Sequence, residues 1–370
     1  MAQLINPSVV IISDVSVGYG TPQIVSLAKS FSEVYGANVI ILEPDQPERP
    51  SVDLEISNVV VERQYTATHP YTASGQVEFN MMIQGHLDTI KPDVVVLCAF
   101  LGVGGLLKMK HKPKMMIYFG LEHTDGREYE SNLLRMSAPL FDFAIFPEEN
   151  RALLDTPRIG MEKKPYAIVY NGSSTKVSAV KSNEKNGKIF YGGLLHPELT
   201  FSDYFFGGEL DAFKIDLFGL VDGYPNREEV LNKLKSRQGG LRYGGYLPSG
   251  PSFSDIIKYY DFSIVLWNPK SESTLYAAPN KFFDAIQAGV PIISAPHPLC
   301  EKLIIRYNCG IVMGGFAIED LKLSLKQANA LKKSEQYNEI IEHFLPIAKK
   351  DLCWDTQFKK IEKMIEQVKL

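Results

Sequence analysis

The stretch Ala278–Pro296, APNKFFDAIQAGVPIISAP, decides how the rest of the chain is read. Pro279 suits a first helical turn, where a missing N–H costs nothing. Phe282 and Phe283 precede Ile286 by four and three residues, so the three form one apolar helix face, turned toward a sheet. Asn280 and Asp284 share the other face, and Lys281 neighbours Asp284 three positions on. Gly289 stands where a helix ends in the left-handed region, and Pro291 prevents its continuation. The spacing therefore predicts a helix over 279–288 and a strand in VPIISAP. Packing explains only the apolar face. A helix N-terminus attracts anions. Lys281 adds a full charge there, and the Asp284 carboxylate one turn on can accept two hydrogen bonds from a ribose diol. An anion site beside a diol acceptor suits a nucleoside diphosphate. The competing reading is a surface helix whose polar side chains face water, with a weak Lys281–Asp284 pair.

Working outward, short apolar runs alternate with helical patterns. VVIIS (9–13) leads into DVSVGYGTP and then QIVSLAKSFSEVYG, where Ile24, Leu27, Ala28 and Phe31 fall at helical spacing and Gly36 stops the helix. NVIIL and NVVVER read as strands and FNMMIQGHLDTIKP as a helix. DVVVLCAF reads as a strand buried on both faces, followed by a tight turn at LGVGG; KMMIYFG and FDFAIFP are two further strands. After the polar stretch TKVSAVKSNEKNGK the rhythm restarts with KIFYGGLL, KIDLFGLVDG and LRYGGYLP. SDIIKYYDFSIVLW reads as a helix with Ser254 or Asp255 near its N-cap, then a strand. CGIVM is a short last strand. From Ala317 onward the Lys/Glu-rich sequence predicts two or three solvated helices. The pattern implies two doubly wound parallel sheets, each with its ligand zone beyond the carboxyl ends of the strands.

With 370 residues, two domains are expected. Hydrophobic residues make up 45% and charged ones 22%, an ordinary globular balance. The formal net charge of −4 offers no basic field for nucleic acid. Cys98, Cys300, Cys309 and Cys353 are scattered without a C-x-x-C pair, which favours buried thiols over zinc or a disulfide framework. No apolar run reaches the length of a membrane span and the N-terminus lacks a signal-peptide pattern, so a cytoplasmic protein is expected.

The segment PNKFFDAIQAGVPIISAP resembles the signature of GT-B glycosyltransferases, above all the retaining bacterial ones of group 1 type that use nucleotide-sugar donors. Asp284 stands where that family carries a Glu that binds the donor ribose. YNGSS resembles the Asn-Gly loop after the interdomain crossing. FYGGLL, DLFGL and LRYGGYLP resemble the first strands of the donor domain, and VGYGTPQIVSLAKSF the acceptor-side loop and helix. The resemblance implies the GT-B fold: two Rossmann-like domains facing a central cleft. An acceptor-binding domain would cover 1–168, with a helix at about 352–370 able to pack back onto it, and a donor domain 169–351. The donor nucleotide would be held by Asp284, Lys281, Asn280, Tyr276 and the backbone of Gly192 and Gly193. The family's second acid, eight residues before the first, is replaced by Tyr276, and Glu272 is out of register.

Other segments carry candidates. IYFGLEHTDGREYE leaves a strand with Glu122, His123 and Asp125 close together, the proposed catalytic group; a carboxylate or imidazole there could deprotonate an acceptor hydroxyl or hold the sugar. A polar loop with a capping Asp is the alternative. Gly18, Tyr19 and Gly20 would form an acceptor-side loop, since glycines let backbone approach a ligand. The loop around His69 is a further candidate acceptor wall. KMKHKPK (108–114) is a solvated loop or a contact for anionic lipid. FSDYFFGG reads as packing.

The expectation is thus an enzyme moving a sugar, hexosyltransferase-like, from a nucleoside-diphosphate sugar to a hydroxyl acceptor. The acceptor would be a glycan or a lipid-linked sugar in bacterial surface polysaccharide or glycoconjugate assembly. No cofactor and no metal are expected, since a cation and a helix dipole can stabilise the leaving group. UDP is favoured over GDP. Peripheral membrane contact stays open, and no nucleic-acid partner is expected. A sugar-nucleotide epimerase and a non-catalytic nucleotide-sugar-binding subunit are the alternatives.

Overall fold

The computed structural model describes residues 6–46, 49, 52–172, 174, 177, 178, 180–237, 239–247 and 251–368. Met1–Ile5, Ser173 of the Asn-Gly loop, three residues of the polar stretch (Thr175, Lys176, Ala179) and Pro248 of LRYGGYLP lie outside the described residues. The chain divides into two units: Met1–Tyr170 with Trp354–Leu370, and Asn171–Cys353.

In chain order the first unit contains β1 (Ser8–Ile12), α1 (Pro22–Tyr35), β2 (Asn38–Pro44), β3 (Val59–Gln64), α2 (Ala73–Ile90), β4 (Val94–Cys98), α3 (Val103–Lys108), β5 (Met115–Phe119), α4 (Glu128–Ser137), β6 (Phe143–Phe146), α5 (Glu149–Arg158) and β7 (Tyr166–Ile168). The second contains β8 (Ile189–Gly192), β9 (Ile215–Phe218), α6 (Arg227–Lys235), β10 (Leu241–Tyr243), α7 (Pro251–Ile257), β11 (Phe262–Val265), α8 (Glu272–Leu275), α9 (Asn280–Gln287), β12 (Ile292–Ser294), α10 (Pro298–Tyr307), β13 (Gly310–Val312), α11 (Ile318–Leu331), α12 (Glu335–Glu339) and α13 (Leu345–Leu352). α14 (Trp354–Val368) returns to the first unit.

The first sheet has the order β3-β2-β1-β4-β5-β6-β7, the second β10-β9-β8-β11-β12-β13, and every pair is parallel. Strand order reverses beside β1 in one sheet and beside β8 in the other. These crossings open a crevice beyond the strand ends. Helices cover both faces of the first sheet, which is why β4, β5 and β6 are unbroken apolar runs with every residue buried. Alternate residues feed opposite cores. Val9, Ile11, Val94 and Val96 join Ile24, Leu27 and Phe31 of α1; Val10, Ile12, Val95 and Leu97 join Phe79, Ile83 and Leu87 of α2.

Three expectations need correction. Ser254 and Asp255 do not cap α7, which starts earlier, at Pro251, and Ser254 is buried within it. LGVGG is not a plain turn: Gly102 is the N-cap of α3, which begins at Val103, and the Gly105 N–H donates to Asn80 Oδ1 of α2 at 2.9 Å. The last helix is not solvated. Trp354, Phe358, Ile361 and Ile365 of α14 lie in the first unit's core beside α1. Trp354 Nε1–H donates to Ser30 Oγ at 2.9 Å, and Lys360 Nζ donates to the Ile168 carbonyl at 2.8 Å. The Lys/Glu-rich composition masks a regular apolar stripe on one face.

Phe358 packs edge-on to Phe31, with ring centroids 5.9 Å apart. Phe358→Ala is expected to destabilise the first unit by about 3–5 kcal/mol through the cavity it leaves. Denaturant unfolding of the full chain followed by far-UV circular dichroism measures this.

Candidate functional site

The second unit brings the polar residues of the opening stretch to the strand ends beside the β8–β11 crossing. Pro279 precedes α9 in an extended conformation, and Gly289 follows it in the left-handed region at φ 69°. Phe282, Phe283 and Ile286 are fully buried. Asn171 of the Asn-Gly loop fixes the entry to α9, donating from Nδ2 to the Ala278 carbonyl at 2.7 Å.

Lys281 is the centre of the site. Its stem lies against Gly193 at the end of β8, where a Cβ would meet Nζ at 3.2 Å. Nζ sits 4.6 Å from the centroid of the Tyr191 ring and 4.9 Å from that of Trp267. It is buried and makes no hydrogen bond among the described residues. Two ring faces attract a cation, but they replace hydration only in part. Burial accordingly pushes the Lys281 pKa down from 10.5 to about 7. Two further buried polar atoms nearby in sequence or contact also lack hydrogen-bond partners among the described residues, the Trp267 indole N–H and Asn171 Oδ1. Buried donors left without acceptors are costly.

Asp284 lies one turn along α9, half-buried. It forms no ion pair with Lys281, so the weak surface pair of the competing reading is absent. With no cation beside it, burial raises its pKa from 3.8 to about 7. One helix thus carries an unpaired carboxyl and an unpaired amine, both poised near neutrality.

Of the backbone of Gly192 and Gly193, the Gly193 amide is already engaged with the neighbouring strand. Gly192 is the last residue of β8, paired in register with Phe218, and the Gly193 N–H donates to the Phe218 carbonyl at 2.9 Å. Gly193 instead permits close approach. A Cβ on Gly219 would stand 1.6 Å from the Gly193 carbonyl oxygen, and the two glycines have φ of 149° and 134°. Tyr276 caps the C-terminus of α8 and is half-buried. Glu272 lies one turn before it, at the start of that helix. Asn280 begins α9 and is half-buried.

Sequence reasoning passed over Tyr191, Trp267 and His297. His297 is buried; its Nε2 accepts the Trp267 backbone N–H at 3.3 Å and its Nδ1–H donates to the Leu275 carbonyl at 3.2 Å. Burial lowers its pKa to about 4, so it stays neutral and ties both ends of the segment 267–275. The sequence signal for these was slight: aromatic residues at strand ends, and a His directly after a strand.

In the first unit, Glu122 and Asp125 are exposed, whereas His123 is only 2% exposed. His123 Nδ1 lies 2.9 Å from Asp155 Oδ1, and that carboxylate also accepts the Thr124 N–H and hydroxyl. Asp155, from α5, was not foreseen. Gly18 and Gly20 are exposed, with φ of 92° and 108°. Tyr19 lies beneath the Arg49 guanidinium at 5.9 Å. An unforeseen acid, Asp14, follows β1. It accepts the N–H groups of Phe100 and Leu101 beyond β4 at 2.8 and 2.7 Å, and burial, aided by the Glu122 charge, raises its pKa to about 7. Asp14 and Arg127 line a cavity of about 250 Å³ that does not include His123 or the Gly18–Gly20 loop. Among the described residues, no cluster of three His, Cys, Asp or Glu could hold a metal ion, and no helix is long and apolar enough to cross a membrane.

No protein-family profile and no curated protein matches the chain. Solved structures do match it over nearly its whole length. A lipopolysaccharide outer core galactosyltransferase, WaaB, in its apo form, is similar at a TM-score of 0.68 and 14% identity, covering 98% of this chain and 100% of the other. Sucrose-phosphate synthase of Thermosynechococcus elongatus gives 0.73 and 10%, covering 98% and 99%. HepE of Anabaena, in complex with UDP and glucose, gives 0.68 and 11%, covering 98% and 100%. The chain has the GT-B fold.

The unpaired Lys281 ammonium generates a stability prediction. Its folded pKa lies below its unfolded value, so the unfolded chain binds more protons between pH 7 and 10.5, and stability rises with pH across that window. Lys281→Met removes this penalty. Its melting temperature at pH 7 should exceed the native one by roughly 5–10 °C, with a smaller gap at pH 10, measured by scanning calorimetry.

Proposed function

We propose that this GT-B chain is a glycosyltransferase that transfers a sugar from a nucleoside-diphosphate sugar, UDP-linked rather than GDP-linked, to a hydroxyl acceptor. The observation that carries the proposal is the buried, unpartnered Lys281 ammonium at the N-terminus of α9, with the unpaired Asp284 one turn on. A diphosphate supplies the acceptors that Lys281 lacks, and a ribose diol supplies the donors that Asp284 lacks. The likeness to HepE in complex with UDP and glucose supports the choice of UDP.

In the reaction, the bond between the anomeric carbon and the β-phosphate oxygen breaks while a bond to the acceptor oxygen forms. The acceptor proton passes to a base or to the departing phosphate. The sugar becomes oxocarbenium-like as negative charge gathers on the diphosphate. Lys281 would swing out from between its two rings to meet that charge, aided by the first turn of α9 and by Asn280. Tyr276 would line the nucleotide, while Gly192 and Gly193 keep the backbone low enough for the lysine to lie there. In the first unit the exposed Glu122 and Asp125 are base candidates. His123, fixed through Nδ1 by Asp155, would hold sugar hydroxyls. The Gly18–Gly20 loop would border the acceptor.

The acceptor is proposed to be a glycan or a lipid-linked sugar in surface polysaccharide assembly. The exposed Lys108, Lys110 and Lys112 support peripheral contact with anionic lipid. The epimerase alternative gains no support from the structural neighbours named above. A non-catalytic binding subunit would share the nucleotide site but release no product.

Calorimetric titration with UDP, GDP, ADP and their glucose conjugates tests the donor site. UDP and UDP-glucose should bind, and Asp284→Ala should weaken both by about tenfold or more, as expected for losing charged hydrogen bonds. If no nucleotide binds, or if Asp284→Ala binds as the native chain does, the proposal fails. UDP-glucose affinity should peak near pH 7. It falls at higher pH as Lys281 loses its proton and at lower pH as Asp284 gains one. Lys281→Met should remove the alkaline limb and Asp284→Asn the acid limb.

A further inference from the structure

We propose that the cavity of the first unit beside the β1–β4 crossing binds the apolar portion of the acceptor, which is therefore an amphiphile: a hydroxyl-bearing head joined to an aliphatic or aromatic group. The ligand is an acceptor on the transferase reading above; the cavity and its lining do not depend on the donor residues.

The cavity measures about 250 Å³. A dry apolar cavity of about 150 Å³ already takes a benzene ring, so this one has room for a short alkyl chain or an aromatic group. Its lining has two characters. Asp14 and Arg127 come from the loops beyond β1 and β5, and Tyr71 joins them from the segment before α2. Asp14 directs its carboxyl oxygens at the Phe100 and Leu101 amides, leaving each oxygen a lone pair for a hydroxyl. The Arg127 guanidinium lies 5.1 Å from the centroid of the Phe100 ring and makes no hydrogen bond or ion pair among the described residues. Tyr71 donates its hydroxyl proton to the Asp14 carbonyl.

Gln76, Asn80, Lys108 and Glu130 add further polar groups to the lining, and the rest of it is mostly apolar. Phe100 and Leu101 contribute from the strand end, Val77 and Met81 from α2, Leu107 from α3 and Leu133 from α4. Val77 and Met81, four residues apart on one helix face, are 59% and 63% exposed. Large apolar side chains left in water beside a cavity mark a place where a ligand removes them from it. A bare sugar would engage Asp14 and Arg127 but leave these helix faces wet. A purely apolar molecule would strip water from Asp14 and Arg127 without replacing it. Only a ligand with both characters satisfies the whole lining.

The test uses the full chain saturated with UDP and titrated with methyl, butyl, hexyl and octyl β-D-glucopyranoside, all below their micelle concentrations. Affinity should rise by about threefold per added methylene until the cavity is filled. Val77→Asp and Met81→Asp, at exposed positions that tolerate substitution, should weaken octyl glucoside binding at least tenfold without changing UDP affinity. Val60→Asp, an exposed apolar position on β3 outside the cavity, should change neither. Affinity independent of chain length overturns the proposal. So does a length dependence that survives in Val77→Asp and Met81→Asp, or one that Val60→Asp abolishes equally. If alkyl glucosides bind as expected while UDP does not, the transferase reading falls and the cavity assignment stands.

Discussion

A buried ammonium group held between two aromatic rings, with no hydrogen-bond acceptor among the described residues, is the constraint around which the second unit is arranged. Such a group is unfavourable in a folded protein unless an anion arrives to complete it. Much of the local structure holds it in place. The residue after β8 must be glycine, Gly193, for the stem to lie flat, and the residue after β9 must be glycine, Gly219, for the two backbones to pass. The neutral His297 fastens the segment that supplies Trp267. Asn171 fastens Ala278, two residues before α9.

Both units use the same topological device. Each places its polar groups where strand order reverses, and each leaves a carboxyl there whose charged form is disfavoured by burial: Asp284 in one, Asp14 in the other. The first unit adds apolar helix faces and the Arg127 guanidinium to this plan, and the second adds an amine buried between two rings. The difference in lining follows from the short helices that follow the strands. α3 and α4 bring Leu107 and Leu133 to one crevice, whereas α9 brings Lys281 to the other.

The doubly wound architecture was legible because both sheets are all-parallel, so short strands alternate with helical periods, and because β4, β5 and β6 of the first sheet are unbroken apolar runs. The helix of α9 was legible down to its glycine. Chemistry was harder to see. Asn280, Lys281 and Asp284 were found because one helix turn brings them near each other in sequence. Tyr191, Trp267 and His297 were not, because they converge from three separate segments. Asp14 and Asp155 were missed for the same reason: their partners lie 86 and 31 residues away. The glycines at 192 and 193 were named for their backbone, and sequence does not tell that the neighbouring strand has already taken the Gly193 N–H. The apolar stripe of α14 was hidden under a Lys/Glu-rich composition.

That last helix has a consequence for biosynthesis. The core beneath α1 lacks Trp354, Phe358, Ile361 and Ile365 until the final segment of the chain has been made. The second unit, lying wholly between Asn171 and Cys353, has all its residues sooner. The unit translated first is therefore the one completed last. It waits through the synthesis of more than 180 residues with one face of its sheet only partly covered, an interval in which exposed apolar surface invites aggregation and chaperone binding.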